Sequence, residues 1–269
     1  MALTQDQREA LGLSLYQALR TQKTIRPLIE QVPEIEIEDA YHISRAMLAP
    51  RIEQDGEIIT GKKIGVTSDA VQKMLGVFQP DFGFLTNVMA FEDGSTIPIK
   101  EHLIQPRAEG EIAFVLKSDL IGPGVDESQV LAATDYITPC FEIVDSRIDN
   151  WKIAIQDTIA DNASCGVYVL GQDRISPEGL ALDKLEVVVM KNGAELSRGM
   201  GSAVQGNPLT AVAWLANTLG EFGIPLKTGE AILSGSLVPL ESAVSGDYFE
   251  MTMTGEGIEP STVSCRFGD

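Results

Sequence analysis

QPRAEGEIAFVL, residues 105–116, is the most informative stretch of this chain. It runs from a basic residue through two glutamates into an apolar segment typical of a buried strand. Side chains two residues apart on a strand point to the same face, so Glu109 and Glu111 are predicted to stand side by side. Two carboxylates in such a place repel each other and resist desolvation, so they need a compensating cation.

A third glutamate, Glu142, lies inside a second apolar strand, PCFEIVD at residues 139–145. Converging with Glu109 and Glu111, it would complete an all-oxygen site suited to Mg²⁺ or Mn²⁺. Zinc is disfavoured, because the chain has two histidines and its cysteines are dispersed. The alternative is that Glu109 and Glu111 lie on a solvated strand edge. A lone buried Glu142 would be costly, and both interpretations stay open at this point.

Composition limits the class of protein. The chain has 269 residues and a formal net charge of −19, which argues against nucleic acid or an anionic membrane as a partner. No apolar run is long enough to span a membrane, and the polar N-terminus lacks the apolar core of a signal peptide. The odd number of scattered cysteines indicates free thiols in a reducing compartment, so we expect a cytoplasmic protein.

The order of elements predicts an α+β fold. Helices are predicted at 4–22, 37–48, 149–159 and 208–222. Pro50 is expected to stop the second of them, and Asn207 to cap the start of the fourth. From residue 58 onward short strands dominate, at 112–116, 140–144, 166–170, 185–190, 231–234, 248–253 and 263–267. We expect a mixed β-roll or sandwich core with flanking helices, divided into an N-terminal helical segment, 1–57, and a β-rich catalytic core, 58–269.

Three further motifs carry polar groups in turn-like settings. GKKIGVTS (61–68) has a lysine that could face inward and transfer protons, or simply lie on the surface. In VFQPDFG (77–83), Asp81 either orients a water molecule or only forms a turn. In DNASCG (161–166), Ser164 could bind a carboxylate or a metal-bound water. A nucleophilic Ser-His-Asp triad is improbable with two histidines so placed.

These segments together resemble the fumarylacetoacetate hydrolase superfamily, and within it the 2-hydroxypenta-2,4-dienoate (2-oxopent-4-enoate) hydratases of aromatic meta-cleavage pathways. The resemblance extends from about residue 15 to 267 and also includes CFEIVDSRI (140–148) and ILSGSLV (232–238). It implies that Glu109, Glu111 and Glu142 hold Mg²⁺ or Mn²⁺ and that Lys63 is the active-site lysine. Asp81 matches an acidic residue of the hydratase branch, where the related decarboxylases usually carry an uncharged one.

The resemblance also implies a reaction. A 2-hydroxydienoate, bound to the metal through its carboxylate and 2-oxygen, would be protonated at C5, take up water at C4 and be protonated at C3 to give 4-hydroxy-2-oxopentanoate. We assign the proton transfers to Lys63 and the positioning of water to Asp81. Ser164 and Ser236 would hold the substrate carboxylate, and Arg107 would limit the negative charge of the site.

Two other functions remain as alternatives. One is a 2-oxo-hex-3-enedioate (4-oxalocrotonate) decarboxylase, and the other is a non-catalytic partner subunit of such a decarboxylase. Carbon–carbon hydrolysis is disfavoured, because no H-x-x-E pattern is present. The family relation implies a homo-oligomer and a complex with the pathway decarboxylase. The hairpin GEGIEPS (255–261) departs from the family pattern and is expected to be longer than a compact turn.

Overall fold

Two β-sheets form the centre of the molecule in the computed structural model, which describes residues 3–68, 72 and 76–269. The strands are β1 Ile59–Gly65, β2 Asp81–Thr86, β3 Ala90–Phe91, β4 Thr96–Pro98, β5 Arg107–Leu116, β6 Thr134–Val144, β7 Cys165–Leu170, β8 Glu186–Lys191, β9 Ala194–Met200, β10 Ala231–Ser236, β11 Glu241–Ser242, β12 Tyr248–Gly255 and β13 Ile258–Gly268. The larger sheet has the order β2-β1-β10-β5-β6-β7-β3, with β11 paired to β5. The smaller sheet has the order β4-β13-β12-β8-β9.

The two sheets pack against each other through aromatic side chains. Phe141 on β6 meets Phe249 on β12 edge to face, with ring centroids 6.1 Å apart, and Phe249 meets Phe267 on β13 at 5.7 Å. All three side chains are buried, as alternation along the strands requires of residues that face a shared core. β5 and β6 lie in the middle of the larger sheet, so most residues on these strands are shielded from solvent.

Helices cover the flanks of the sheets. They are α1 Gln5–Thr21, α2 Leu28–Gln31, α3 Ile37–Glu53, α4 Ile99–His102, α5 Glu127–Ala133, α6 Ile155–Ala160 and α7 Pro208–Gly220. Asn207 caps α7 by accepting a hydrogen bond from the Leu209 N–H at 3.0 Å, and Pro208 occupies the first turn, as predicted. Together the helices and mixed sheets confirm the predicted α+β class.

The N-terminal helices share an apolar cluster with the segment around α6. Leu15 of α1 and Ile43 of α3 are buried in it with Ile155 and Ile159 of α6. Such a contact stabilises both partners by removing apolar surface from water. The helical segment therefore packs on the core, and the proposed division at residue 57 stays a prediction.

Three local predictions are wrong. α3 does not stop before Pro50 but continues to Glu53, because proline can still accept hydrogen bonds and its carbonyl receives the Gln54 N–H at 2.9 Å. The helix predicted over 149–159 is a 3₁₀ turn followed by α6 alone, since Asn150 has a left-handed φ of 54° that breaks the α-helix. The hairpin at 255–261 is a compact turn, in which Gly255 pairs with Ile258 and Gly257 adopts a φ of 88°.

Candidate active site

Three glutamates meet on the two central strands. β5 and β6 run antiparallel and place Glu109 directly opposite Glu142, and Glu111 follows on the same face of β5. One ligand oxygen from each of the three residues lies within 4.8 Å of the others. In the described residues no other group of acidic, histidine or cysteine ligands is arranged in this way. The structure thus brings together the three side chains predicted to bind a metal.

Burial makes this cluster electrostatically unfavourable without a cation. Glu111 and Glu142 are 0% and 1% exposed. Burial raises the pKa of Glu142. Burial and repulsion from Glu142 together raise the pKa of Glu111 well above its ordinary value. The same two causes raise the pKa of Glu109 to about 7. The Gly235 N–H donates to Glu111 Oε2 at 2.8 Å, whereas Glu111 Oε1 is buried with no hydrogen-bond partner in the described part of the chain.

A hard divalent cation fits this set of donors. The cluster offers carboxylate oxygens only, and the uncoordinated Oε1 of Glu111 has the burial and lack of protein donors expected of a ligand atom. A dication would also offset the repulsion that raises the pKa values. Glu109, Glu111 and Glu142 are therefore the residues that would hold the metal.

Lys63 lies beside the cluster on β1. Its Nζ atom is 3.2 Å from Glu142 Oε1, and its side chain is almost fully buried. Burial by itself lowers the pKa of Lys63, but attraction to Glu142 and to other nearby acids outweighs the burial, so the net pKa is raised. The ammonium group is therefore charged at neutral pH and faces the carboxylates, not the surface.

Asp81 begins β2 and faces the same space. Its carboxylate is buried, and neither oxygen has a well-formed hydrogen bond with the described residues. Burial raises the pKa of Asp81, while Lys63 opposes the rise. Gly65 makes this approach possible: a Cβ atom there would lie 2.3 Å from Asp81 Oδ1 and 3.2 Å from Lys63 Nζ. A side chain at position 65 would thus separate the two groups.

The two predicted serines have different surroundings. Ser164 is buried, and its hydroxyl has no hydrogen-bond partner in the described part of the chain. Ser236 pairs in register with Glu111, and its hydroxyl donates to the Val238 carbonyl at 2.6 Å. The Ser236 hydroxyl is also close enough to Glu109 to oppose the rise in the pKa of that carboxyl. Ser164 is therefore the serine whose hydroxyl is unpaired in the described part of the chain, and Ser236 lies beside the glutamate cluster.

Arg107 does not balance the charge of the glutamates. Its guanidinium lies 4.5 Å from the ring centroid of Trp151, and it forms no ion pair with Glu109 or Glu111 within 4 Å. It lines a separate surface cavity of about 430 Å³ together with Gln105. The cation beside the glutamates is Lys63 instead. It lies on β1, two strands from β5 in the same sheet, so it reaches the glutamates only when the sheet has formed.

Several groups around the site were missed from the sequence. The Gly235 N–H binds Glu111, and the glycine has a φ of 114°, which a strand-interior glycine could have suggested. A cysteine, Cys165, is buried near Lys63; burial raises the pKa of its thiol, and Lys63 opposes the rise. The tyrosine of α3, Tyr41, stacks on Phe82, next to Asp81, with ring centroids 4.6 Å apart. No local pattern marks Cys165 or Tyr41 as neighbours of the site.

A cluster of three carboxylates beside a lysine on a mixed sheet is a candidate metal site of an enzyme, and sequence comparison identifies the family. The model of the fumarylacetoacetate (FAA) hydrolase C-terminal family matches residues 63–264, and the chain belongs to this family. It is 60% identical over 250 residues to a 2-hydroxyhexa-2,4-dienoate hydratase of Comamonas testosteroni, covering 93% of this chain and 94% of that protein. It is 59% identical over 214 residues to a 2-hydroxypent-2,4-dienoate hydratase of Pseudomonas putida, covering 80% of this chain and 96% of that protein.

Solved structures agree with this assignment. The 4-oxalocrotonate decarboxylase from Pseudomonas putida G7, complexed with magnesium and adipate, superposes with a TM-score of 0.92 at 35% identity over 98% of both chains. The same enzyme complexed with calcium and acetate gives a TM-score of 0.90. Among the described residues, no helix combines the length and the apolar character that crossing a membrane requires.

Proposed function

We propose that this protein is a lyase that hydrates 2-hydroxypenta-2,4-dienoate (2-oxopent-4-enoate) to 4-hydroxy-2-oxopentanoate in aromatic meta-cleavage catabolism. The observation that carries the proposal is the cluster of half-buried Glu109 with buried Glu111 and Glu142, and Lys63 Nζ 3.2 Å from Glu142. The identity of about 60% with dienoate hydratases over most of both chains supports the same reaction.

The cofactor in this proposal is Mg²⁺ or Mn²⁺, held by the three glutamates. When bound, the cation would supply Lewis acidity to the 2-oxygen of the substrate and neutralise charge at the carboxylates. The magnesium and calcium in the similar decarboxylase structures support a hard divalent ion. An oxygen-only donor set accommodates both Mg²⁺ and Mn²⁺.

The protein's own residues would provide the proton transfers and the water. Lys63 is buried beside Glu142, so its ammonium can donate a proton at C5 of the dienol and be restored by the proton that the 2-hydroxyl loses as the ketone forms. It can donate again at C3, and the proton taken from the attacking water then restores it. Asp81, which has buried oxygens without well-formed hydrogen bonds, can accept a proton from the water that attacks C4. The Ser164 hydroxyl can donate to the substrate carboxylate. The net reaction adds one water, so no oxidant or reductant is needed.

The direct test is an ultraviolet assay of dienol loss with product identification. We expect 4-hydroxy-2-oxopentanoate to form with Mg²⁺ or Mn²⁺ and activity to disappear with chelator and return on adding metal. Glu109→Ala should not recover on adding metal. Full activity of Glu109→Ala after chelation and metal addition would refute the metal site. An Asp81→Asn variant that hydrates the dienoate at the wild-type rate would remove Asp81 from the mechanism.

The second candidate is decarboxylation of 2-oxo-hex-3-enedioate. It is favoured by the TM-score of 0.92 with 4-oxalocrotonate decarboxylase, since the same site could stabilise the charge that develops on loss of CO₂. The acidic Asp81 and the higher identity with hydratases favour hydration. Release of CO₂ from the six-carbon diacid, without hydration of the dienoate, would establish the second candidate. Failure of the isolated protein to bind a divalent metal would favour a non-catalytic partner subunit.

We also propose a cytoplasmic homo-oligomer that associates with the pathway decarboxylase. The cysteines Cys140, Cys165 and Cys265 are all free and buried, which agrees with a reducing compartment. Light scattering of the purified protein would give its oligomer size, and mixing it with the decarboxylase would test the complex.

A further inference from the structure

The turn that carries Ser164 has an unusual backbone. Asn162, Ala163 and Ser164 all have a φ of 53°, in the left-handed region. Residues with a side chain visit this region singly and rarely, and a run of three persists only where surrounding contacts enforce it. The turn is also pressed against β2, because a Cβ atom at Gly83 would lie 2.4 Å from the Asn162 carbonyl oxygen.

Arg147 holds both ends of this turn. It is completely buried, and its Nε donates to Asp161 Oδ1 at 2.6 Å. Its Nη2 donates to the Asp161 carbonyl at 2.6 Å, and its Nη1 donates to the Cys165 carbonyl at 2.6 Å. One rigid guanidinium thus contacts the residue before and the residue after the three left-handed residues.

Asn162 holds the turn from the other side. Its Nδ2 donates to the Phe84 carbonyl at 2.9 Å, and its Oδ1 accepts the Phe84 N–H at 2.8 Å. The side-chain amide therefore pairs with β2 as a neighbouring strand would. Since β2 begins at Asp81 and pairs with Lys63 through Gly83, this contact ties the turn to the strand that shapes the site.

We infer that Arg147 and Asn162 are positioning residues that hold the 162–164 turn left-handed and so set the place of the Ser164 hydroxyl in the active site. Neither residue needs to touch the substrate for this role. Ser164 is buried, and its hydroxyl has no hydrogen-bond partner among the described residues. The kinetic part of this inference rests on the proposed hydratase function.

The test compares Asn162→Asp with a matched control, Asn217→Asp. Asn217 lies on α7 and makes the same paired contact with Val125, donating from Nδ2 and accepting at Oδ1, both at 2.8 Å. Both variants lose one donor and place a carboxylate against a carbonyl, so both should lower the melting temperature, Asn162→Asp more because Asn162 is buried and Asn217 is half-buried. Only Asn162→Asp should raise KM for the dienoate, about tenfold with kcat within about twofold, because a lost substrate contact acts on binding.

A second measurement does not depend on the hydratase function. Cys165 follows the turn and is buried, so its alkylation reports on how firmly the turn is held. We expect maleimide to modify Cys165, identified by peptide mass, about tenfold faster in Asn162→Asp than in Asn217→Asp or wild type if opening is fast. Faster modification without any dienoate turnover in the wild type would refute the proposed function and leave the turn assignment standing. Equal KM and equal alkylation in the two variants would overturn the inference.

Ala163→Gly covers the case in which Asn162→Asp does not fold. This change leaves Arg147 and Asn162 in place but removes the steric restriction that the Ala163 side chain puts on its own backbone. KM should rise about threefold without a lower melting temperature. An unchanged KM, with unchanged alkylation of Cys165, would contradict the role assigned to the turn.

Discussion

Lys62 and Lys63 are neighbours in sequence but lie on opposite faces of β1. Lys62 forms a buried ion pair with Glu230, whereas Lys63 faces Glu142. Alternation along the strand explains this division. The sequence GKKIG predicts one inward lysine, yet both are buried, because each face of the strand is covered and supplies its own carboxylate.

This pair provides a test of the catalytic lysine. Lys63→Met should lower kcat about 10²- to 10⁴-fold, the usual contribution of a positioned acid or base. Lys62→Met removes an ion pair of similar burial and should lower stability while leaving kcat nearly unchanged. Steady-state kinetics and thermal unfolding of both variants separate the effects, and equal losses of kcat would contradict the role of Lys63.

The pKa of Glu109 predicts how stability depends on pH. Without metal its pKa is about 7 in the folded protein and near 4.5 in the unfolded chain. Between these two pKa values the folded state binds more protons than the unfolded chain. The contribution of Glu109 to the free energy of unfolding is therefore present at low pH and is lost as pH rises through about 7. Other acidic residues titrate as well, so the comparison must be made with a variant.

We expect the metal-free wild type to lose more stability than Glu109→Gln between about pH 5 and about pH 8. Saturating Mg²⁺ should reverse the wild-type trend, since the cation competes with protons for the same oxygens. Thermal unfolding across pH, with and without chelator, measures both effects. Parallel curves for the two metal-free proteins would contradict the raised pKa.

At the scale of elements, the 162–164 turn stores backbone strain beside the site. Each left-handed residue with a Cβ costs roughly 1–2 kcal/mol, and the contacts of Arg147 and Asn162 offset that cost. DNASC predicts a polar turn, and its type could not be predicted from sequence. The left-handed conformation depends on the guanidinium of Arg147 and on the backbone of β2. Both lie outside the turn's own sequence, so the local pattern does not predict the conformation.

The strain predicts an unusual response to glycine. Ala216→Gly, within α7 and buried, should lower the free energy of unfolding by about 1–2 kcal/mol, through lost burial and greater freedom of the unfolded chain. Ala163 is equally buried, but Ala163→Gly also relieves the strain of a left-handed backbone. We therefore expect it to change the free energy of unfolding by close to zero. Urea unfolding of both variants measures the difference, and equal destabilisation would show that the turn is not strained.

At the scale of the whole molecule, the site joins strands that are far apart in sequence. β1, β10, β5 and β6 are adjacent in the larger sheet, so Lys63, Gly235 and the glutamates meet only when the sheet is complete. A metal held by the three glutamates would link β5 and β6. Because such a metal would bind only the folded chain, it would stabilise the entire fold.

Mg²⁺ should therefore raise the melting temperature. At about 100 times its Kd, the ion should stabilise the wild type by about 2.7 kcal/mol. Glu111→Gln should show a smaller shift, and Glu256→Gln, in the exposed β12–β13 turn, should behave as wild type. Thermal unfolding with Mg²⁺ titrations measures these shifts, and identical shifts in all three proteins would place the binding elsewhere.

The sequence alone determined the fold class, the capped helices and the three glutamates, because each depends on local spacing or on a family pattern. Strand alternation places Glu109 and Glu111 on one face, the apolar strand around Glu142 marks a third candidate, and the resemblance joins the three into one site. The tertiary structure decided which cation faces them: Lys63 lies at Glu142, and Arg107 stacks on Trp151 instead. It also decided the shape of the turn at Ser164. Strand order and buried long-range hydrogen bonds set both features, and neither leaves a periodic signal in the sequence.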